Sequence, residues 1–342
     1  MEAIDKARFR QVFLLVFLLV CTFFVFAFCI GFGSVKIELK EVISIIFKKE
    51  AFNPTHKDIV MGIRFPRALG TLIGGAALAL SGLLLQIFFK NPIVEPYVLG
   101  ISSGATLFVA LIMLGGITLG FKTPSPYVLV LGAFLGASLV MMLVVAFAVK
   151  VRDVVTLLVI GIMVGYICSA VTNLLVAFAD SERLYGFIMW TKGSFSGFTW
   201  KNINVLLIFG VPIIFASFFV VKPLNAFLMG EEYARSMGVD IKKFRLIIIL
   251  IASILTAGVT AFTGPIAFVG LAVPHISRLI FRTSDNRILI PGTVIMGAIV
   301  TSLCDLICRT IFAPTELPIS SITSFIGAPI VIYLILKRRA SL

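Results

Sequence analysis

Apolar residues in this chain do not alternate, and they are not confined to one stripe of a helix. They run nearly unbroken, again and again, for about 20 residues, the length of helix needed to cross a bilayer core. Such runs predict about ten spans, at approximately 11–33, 67–89, 97–116, 125–149, 155–178, 203–221, 244–262, 266–282, 288–307 and 319–336, with a short extra helix around 186–197. The alternating ten-residue segments of a membrane β-barrel are absent. The expected fold is all-α and polytopic, one transmembrane domain over residues 1–342. The first run, Val12 to Phe32, follows Lys6, Arg8 and Arg10 and so imitates a signal peptide. It is about twice the length of a signal-peptide core and no A-x-A site follows, which predicts a retained first helix.

Composition agrees: 60% of the 342 residues are hydrophobic and 13% charged, against about half and a quarter in soluble domains. The formal charge of +13 could suggest nucleic acid, but the basic residues lie in short loops between spans, with no aromatic-interleaved basic surface. Topology explains them better. With the N-terminus inside, 17 of the 29 Lys and Arg fall on inner segments, and seven of the remaining 12 lie in residues 34–67. The positive-inside bias then places both termini in the cytoplasm, and makes 223–243 a cytoplasmic loop. G-x-x-x-G pairs at Gly70/Gly74, Gly100/Gly104, Gly116/Gly120, Gly132/Gly136, Gly161/Gly165 and Gly193/Gly197 predict close helix packing.

Enzyme chemistry is hard to find. The stretch "GGITLGFKT" (Gly115–Thr123) approaches a phosphate loop, but Phe121 stands where the Gly-Lys pair is needed and no strand precedes it. Cys21, Cys29, Cys168, Cys304 and Cys308 all lie in apolar runs and read as small buried hydrophobes. His56 and His275 are far apart and belong to no metal-binding pattern, so no metal and no cofactor are expected. Asp305 and Arg309 stand four apart and could pair. Acidic residues deep in the spans, the usual mark of ion-coupled carriers, are otherwise missing.

One polar stretch interrupts the apolar runs: "GEEYARSMGVD", Gly230 to Asp240. Gly230 and Gly238 bracket a short helix. Glu231 and Glu232 stand at its N-terminal end and Arg235 later, as the helix dipole favours, while Ala234 offers a small face. Such a helix suits a partner's groove; the plainer alternative is an idle surface loop.

These segments resemble the FecCD family, the permease subunits of type II ABC importers that take up iron–siderophores, heme and vitamin B12. The likeness is carried by "RFPRALGTLIGGAALALSGLLLQIFFKNPIVEPYVLGISSGA" (Arg64–Ala105), by "GEEYARSMGVD", by "TGPIAFVGLAVPHISRLIF" (Thr263–Phe281) and by "ELPISSITSFIGAPIVIYLIL" (Glu316–Leu336). The resemblance implies a homodimer of about ten helices per subunit around a central pore, in the cytoplasmic (inner) membrane. It implies two cytoplasmic ATPase subunits, an extracytoplasmic substrate-binding protein, membrane lipid as surroundings and no nucleic acid. Gly230, Glu231, Glu232, Ala234, Arg235 and Gly238 would form the ATPase-coupling helix, so that ATP hydrolysis belongs to another chain. Arg64, Arg67 and Arg309 would pair with glutamates of the binding protein on the outer face; helix-end anchoring, or the Asp305 pair for Arg309, is the alternative. Val154 and Val155 take the place of the inner pore constriction, where some members carry Thr and Ser. His275, in "VPHISR", reads as structural. The cargo would be a metal chelate or tetrapyrrole: iron–siderophore, heme or cobalamin. The competing readings are a stand-alone secondary carrier and a membrane-embedded enzyme.

Overall fold

In the computed structural model, residues 2–48, 53–116, 126–151 and 153–339 are described. Most of the glycine-rich stretch from Gly115 to Thr123 lies outside them. The described elements are all helical, and seven are long and apolar enough to span a membrane. These are α1 (Glu2–Gly31), α3 (Pro54–Phe88), α5 (Pro126–Lys150), α6 (Val154–Ala177), α8 (Trp200–Leu228), α10 (Ile241–Thr263) and α12 (Asn286–Thr310). Three shorter apolar helices, α4 (Ile101–Met113), α11 (Val269–Phe281) and α13 (Ile319–Arg339), complete the expected ten. The remaining helices are α2 (Leu39–Phe47), α7 (Ser181–Thr191) and α9 (Glu231–Ser236).

The bundle is organised around α3, which packs against α12, α10 and α11. Glycine permits this. A Cβ on Gly82 would lie 1.9 Å from the Gly270 carbonyl oxygen of α11, and one on Gly75 would lie 2.4 Å from that of Gly297 on α12. Backbones meet there with nothing between them, the use that membrane helices make of small residues. At the edge, α1 turns Phe9, Phe13, Phe17, Phe23 and Phe24 outward. Lipid is their solvent, which is why an apolar face in this setting incurs no exposure penalty.

Two departures from the expected boundaries have physical causes. The helix expected from residue 67 begins at Pro54, with the Asn53 side chain accepting from the Thr55 amide (3.0 Å) and a π-helical turn over Asp58–Arg64. The described residues between 34 and 66 are therefore largely helical, and α2 lays Val42 and Ile45 into a satellite core with Cys29, Ile30, Ile37, Val60 and Ala68. Conversely, α4 and α11 are 13 residues each, about 20 Å long at 1.5 Å per residue and too short to cross alone. Gly100 (φ 76°) and Phe268 (φ 68°) are left-handed and start them late. The irregular backbone ahead of α11 is satisfied inside the protein, as hydrocarbon surroundings demand. Glu95 Oε2 accepts from the Phe268 amide (3.1 Å), Thr323 Oγ1 donates to Ala267 O (3.0 Å), and Ser320 Oγ donates to Pro265 O (3.1 Å).

Candidate functional site

The interrupting polar stretch forms α9, and its ends are set by glycine. Gly230 (φ 128°) and Gly238 (φ 83°) adopt backbone conformations closed to most side chains. The Ala234 amide donates to Gly230 O and the Val239 amide to Ala234 O, both at 3.0 Å, closing the short helix at each end. Ala234 is fully buried, so α9 lies flat on the bundle with its smallest residue inward. Glu232, Tyr233 and Met237 point away from it.

Glu231 ties this helix down. Its carboxylate meets Arg245 Nη2 at 3.0 Å and Arg235 Nη2 at 3.5 Å. Arg245, near the start of α10, is buried and also donates Nη1 to the Val151 carbonyl (3.4 Å). One guanidinium thus joins α9, α10 and the connection between α5 and α6. A cleft of about 310 Å³ opens beside it, lined by Ala148, Val151, Glu231, Arg235, Lys242 and Arg245 among others. Asp153, at the N-cap of α6, accepts from the Thr156 hydroxyl and amide (2.7 Å each), which holds its carboxyl below the usual aspartate range. Asp240 caps α10 in the same way and is lowered by the amides of Lys243 and Lys242.

Just beyond that connection come Val154 and Val155. Val155 is exposed on the isolated chain; the side chain of Val154 lies outside the described ones. His275 is half-buried on α11 beside Pro274, and no group of three or more His, Cys, Asp or Glu able to hold a metal occurs among the described residues. His56 Nδ1, in the first turn of α3, lies 2.8 Å from Glu41 Oε2 of α2.

At the opposite end of the bundle the three arginines expected on an open rim are buried, at 3–4% exposure. Their burial departs from a placement in which they meet a partner directly. Arg64 donates to the carbonyls of Ile30, Gly31 and Val35, and Arg309 Nη2 donates to Cys29 O (2.6 Å). The last carbonyls of α1 have no partners within their helix and carry the negative end of its dipole, so they draw cations in. Arg67 makes a forked contact with Asp305 (Nη2–Oδ1 2.9 Å, Nε to both oxygens 3.1 Å) and a second one with Glu316 (Nη1–Oε1 2.7 Å). Arg309 Nε stands 3.6 Å from the same Asp305, so the pair suggested by their spacing is part of a larger cluster.

The comparisons with known proteins place this geometry. The model of the FecCD transport family matches residues 18–337. The chain belongs to the FecCD transport family. Among relatives, it is 34% identical over 323 residues to a Methanocaldococcus jannaschii protein assigned as an ABC transporter permease, covering 92% of this chain and 90% of that one. It is 35% identical over 288 residues to the vitamin B12 import system permease protein BtuC of Escherichia coli O9:H4 (strain HS), covering 84% and 86%. Among solved structures, an inward-facing ABC transporter of the metal-chelate type superposes with a TM-score of 0.83 at 28% identity, over 95% of this chain and 99% of that chain. PsaBC from Streptococcus pneumoniae shares the fold, at a TM-score of 0.50 and 13% identity.

An FecCD chain of this kind is the transmembrane permease subunit of an ABC importer, and ATP hydrolysis is done by a separate ATPase. Against that role, three features escaped the sequence reading. Arg245 is one of many loop-end cations until folding brings it to Glu231. Leu228 and Met229, like Tyr233 and Met237, are exposed apolar residues around α9, and Tyr and Met are enriched in interfaces. Gln86, in the last turn of α3, and Glu95, on the connection that follows, brace α11: Gln86 Nε2 reaches the Gly270 and Leu271 carbonyls (3.2 Å each), and Arg278 Nη1 donates to Gln86 Oε1 (2.8 Å). The segment "NPIVEPYVLG" held the signal for Glu95, a carboxylate between two apolar runs.

Proposed function

We propose that two copies of this chain form a central pore in the cytoplasmic membrane, with both termini cytoplasmic and residues 1–342 acting as one permease domain. Two ATPase subunits engage α9 from the cytoplasm, and a substrate-binding protein delivers cargo from outside. The cargo is a metal chelate or tetrapyrrole, such as an iron–siderophore, heme or cobalamin; the vitamin B12 permeases among the relatives and the metal-chelate type of the structural neighbour support that class.

The observation that carries this reading is the Glu231–Arg245–Val151 link. A load on the exposed face of α9 passes through Glu231 to Arg245, and through Arg245 to the connection that starts α6 (3.0 and 3.4 Å). Val154 and Val155, at the start of α6, form the inner constriction, and apolar side chains close a pore by excluding water. On the outside, the buried arginine cluster supports the surface on which the binding protein docks, while the exposed Lys36, Lys40, Lys48 and Lys57 steer its approach. Rim charges act mainly on association rate and register.

The test is uptake by the complete transporter, permease with ATPase and binding protein, in proteoliposomes. Glu231→Lys leaves the complex assembled and its ATPase active while uptake falls, and Glu231→Arg combined with Arg245→Glu restores part of it. Normal uptake by Glu231→Lys would remove α9 as the lever. Uptake without any ATPase would favour a secondary carrier.

A further inference from the structure

Between α5, α8 and α10 there is an open cleft of about 560 Å³, within the ~300–1,000 Å³ typical of sites for small ligands. It is lined along most of its length by carbon: Phe134 from α5, Phe209 and Ile213 from α8, Gly258 and Phe262 from α10. Polar groups gather where α5 and α8 begin, with Tyr127, Lys201 and Asn202. Lys201 Nζ stands 5.9 Å above the Tyr127 ring. Next to it Trp200 stacks on Phe65 and donates Nε1 to Met61 O (2.7 Å). Tyr, Trp and a snorkelling Lys at one level mark the membrane–water interface. The hollow is built by backbone as well. α8 is interrupted there by a π-helical turn over Leu206–Gly210, and a Cβ on Gly258 would meet nothing within 4 Å.

We propose that this cleft is a binding site for one glycerophospholipid: an acyl chain fills the apolar slot, and Lys201 holds the anionic phosphate at its mouth. The α1 face is apolar too, yet it offers side chains on a single helix edge, which suits exchanging bulk lipid. The cleft is concave, walled by α5, α8 and α10 with Ile73 and Ala77 of α3 behind them, and charged at one end only, and that end is at headgroup depth. Its contents must be apolar, because water has almost no polar partners along it. A glycerophospholipid with one acyl chain in the slot and its anionic headgroup at the mouth matches in polarity and sign of charge. The leaflet, which is the outer one, rests on the orientation proposed above; the cleft and its lysine do not.

The probe is phosphatidylglycerol carrying a photoactivatable diazirine on one acyl chain, added to the complete transporter in nanodiscs, with adducts mapped by mass spectrometry. Labelling is expected at Phe134, Phe209 and Ile213 in excess over Phe13 and Phe17 of α1. Gly258→Leu, which fills the slot from a position with free space, abolishes that excess while α1 labelling stays the same, a control that the protein is folded. Lys201→Ala lowers the excess about fivefold, equivalent to the ~1 kcal/mol of a lysine near anionic lipid, and Lys201→Arg keeps it. Diacylglycerol with the same photoreactive tail shows no dependence on Lys201. Equal labelling of cleft and α1, or labelling indifferent to Gly258→Leu, overturns the proposal. Cross-links from cleft residues to a second copy of the chain overturn it as well.

Discussion

Replacing Arg67 by Met asks whether the outer arginines hold the bundle or greet a partner. The guanidinium is 5% exposed, forks onto Asp305 (2% exposed), and reaches Glu316 (37% exposed). Methionine keeps much of the volume and removes the charge. Glu316 can return to water, so its loss counts for little, as with surface pairs at ~0.2–1 kcal/mol. Asp305 cannot. Breaking a buried pair by removing one partner costs about 3–5 kcal/mol. Because Arg309 remains 3.6 Å away, the expected loss is near the lower end, about 3 kcal/mol, or roughly 4 °C in Tm for a chain of this size. The assay is the fraction of purified permease that stays monodisperse after heating, read by size exclusion. The second variant, Arg67→Met with Asp305→Asn, removes the stranded charge and should recover most of the loss. If Arg67→Met keeps its Tm and loses only affinity for the binding protein, the structural role is wrong and the side chain reaches the partner after all.

Other outcomes follow from the packing. Gly82→Ala places a methyl 1.9 Å from the Gly270 oxygen, an overpacking expected to cost about 3 kcal/mol or more; folded yield should fall sharply. Gly258→Ala meets open space and should leave yield unchanged or improve it, since Ala exceeds Gly in helix preference by ~1 kcal/mol. Val155→Cys should cross-link between two copies under mild oxidation, read as a dimer band. Failure there, with a neighbouring position succeeding, would move the constriction away from the start of α6.

Much of this protein is legible because its strongest signals are local. The apolar helices follow from run length, seven of them long enough to span a membrane, and α9 follows from two glycines around seven polar-rich residues. The likeness carried by Arg64–Ala105 and Gly230–Asp240 led to the same family that the family comparison established. Helix ends were less legible. The late starts of α4 and α11 depend on Gly100 and Phe268 turning left-handed, and Phe268 does so because Glu95 and Thr323, far away in the chain, support the backbone around it. The early start of α3 depends on α2 covering Val60, which hydropathy along 34–66 did not suggest.

What the amino-acid order determined by itself was the solvent and the menu of elements. A residue's preference for hydrocarbon, a glycine's tolerance of positive φ and a short polar helix between spans need no distant partner. Only the tertiary structure decided the fate of the charges. Arg67 meets Asp305 across 238 positions, and Glu231 meets Arg245 across 14. On sequence alone Arg64, Arg67 and Arg309 stand between two readings, docking of a binding protein on the outer face and anchoring of the helix ends, with the Asp305 pair for Arg309. In the fold, the unpaired carbonyls at the end of α1 and two carboxylates capture them, because a charge near a membrane interior is stable only with partners around it. Whether a charge faces a partner protein or braces its own chain depends on which helices pack beside it, and packing is set by long-range contacts that no local pattern records.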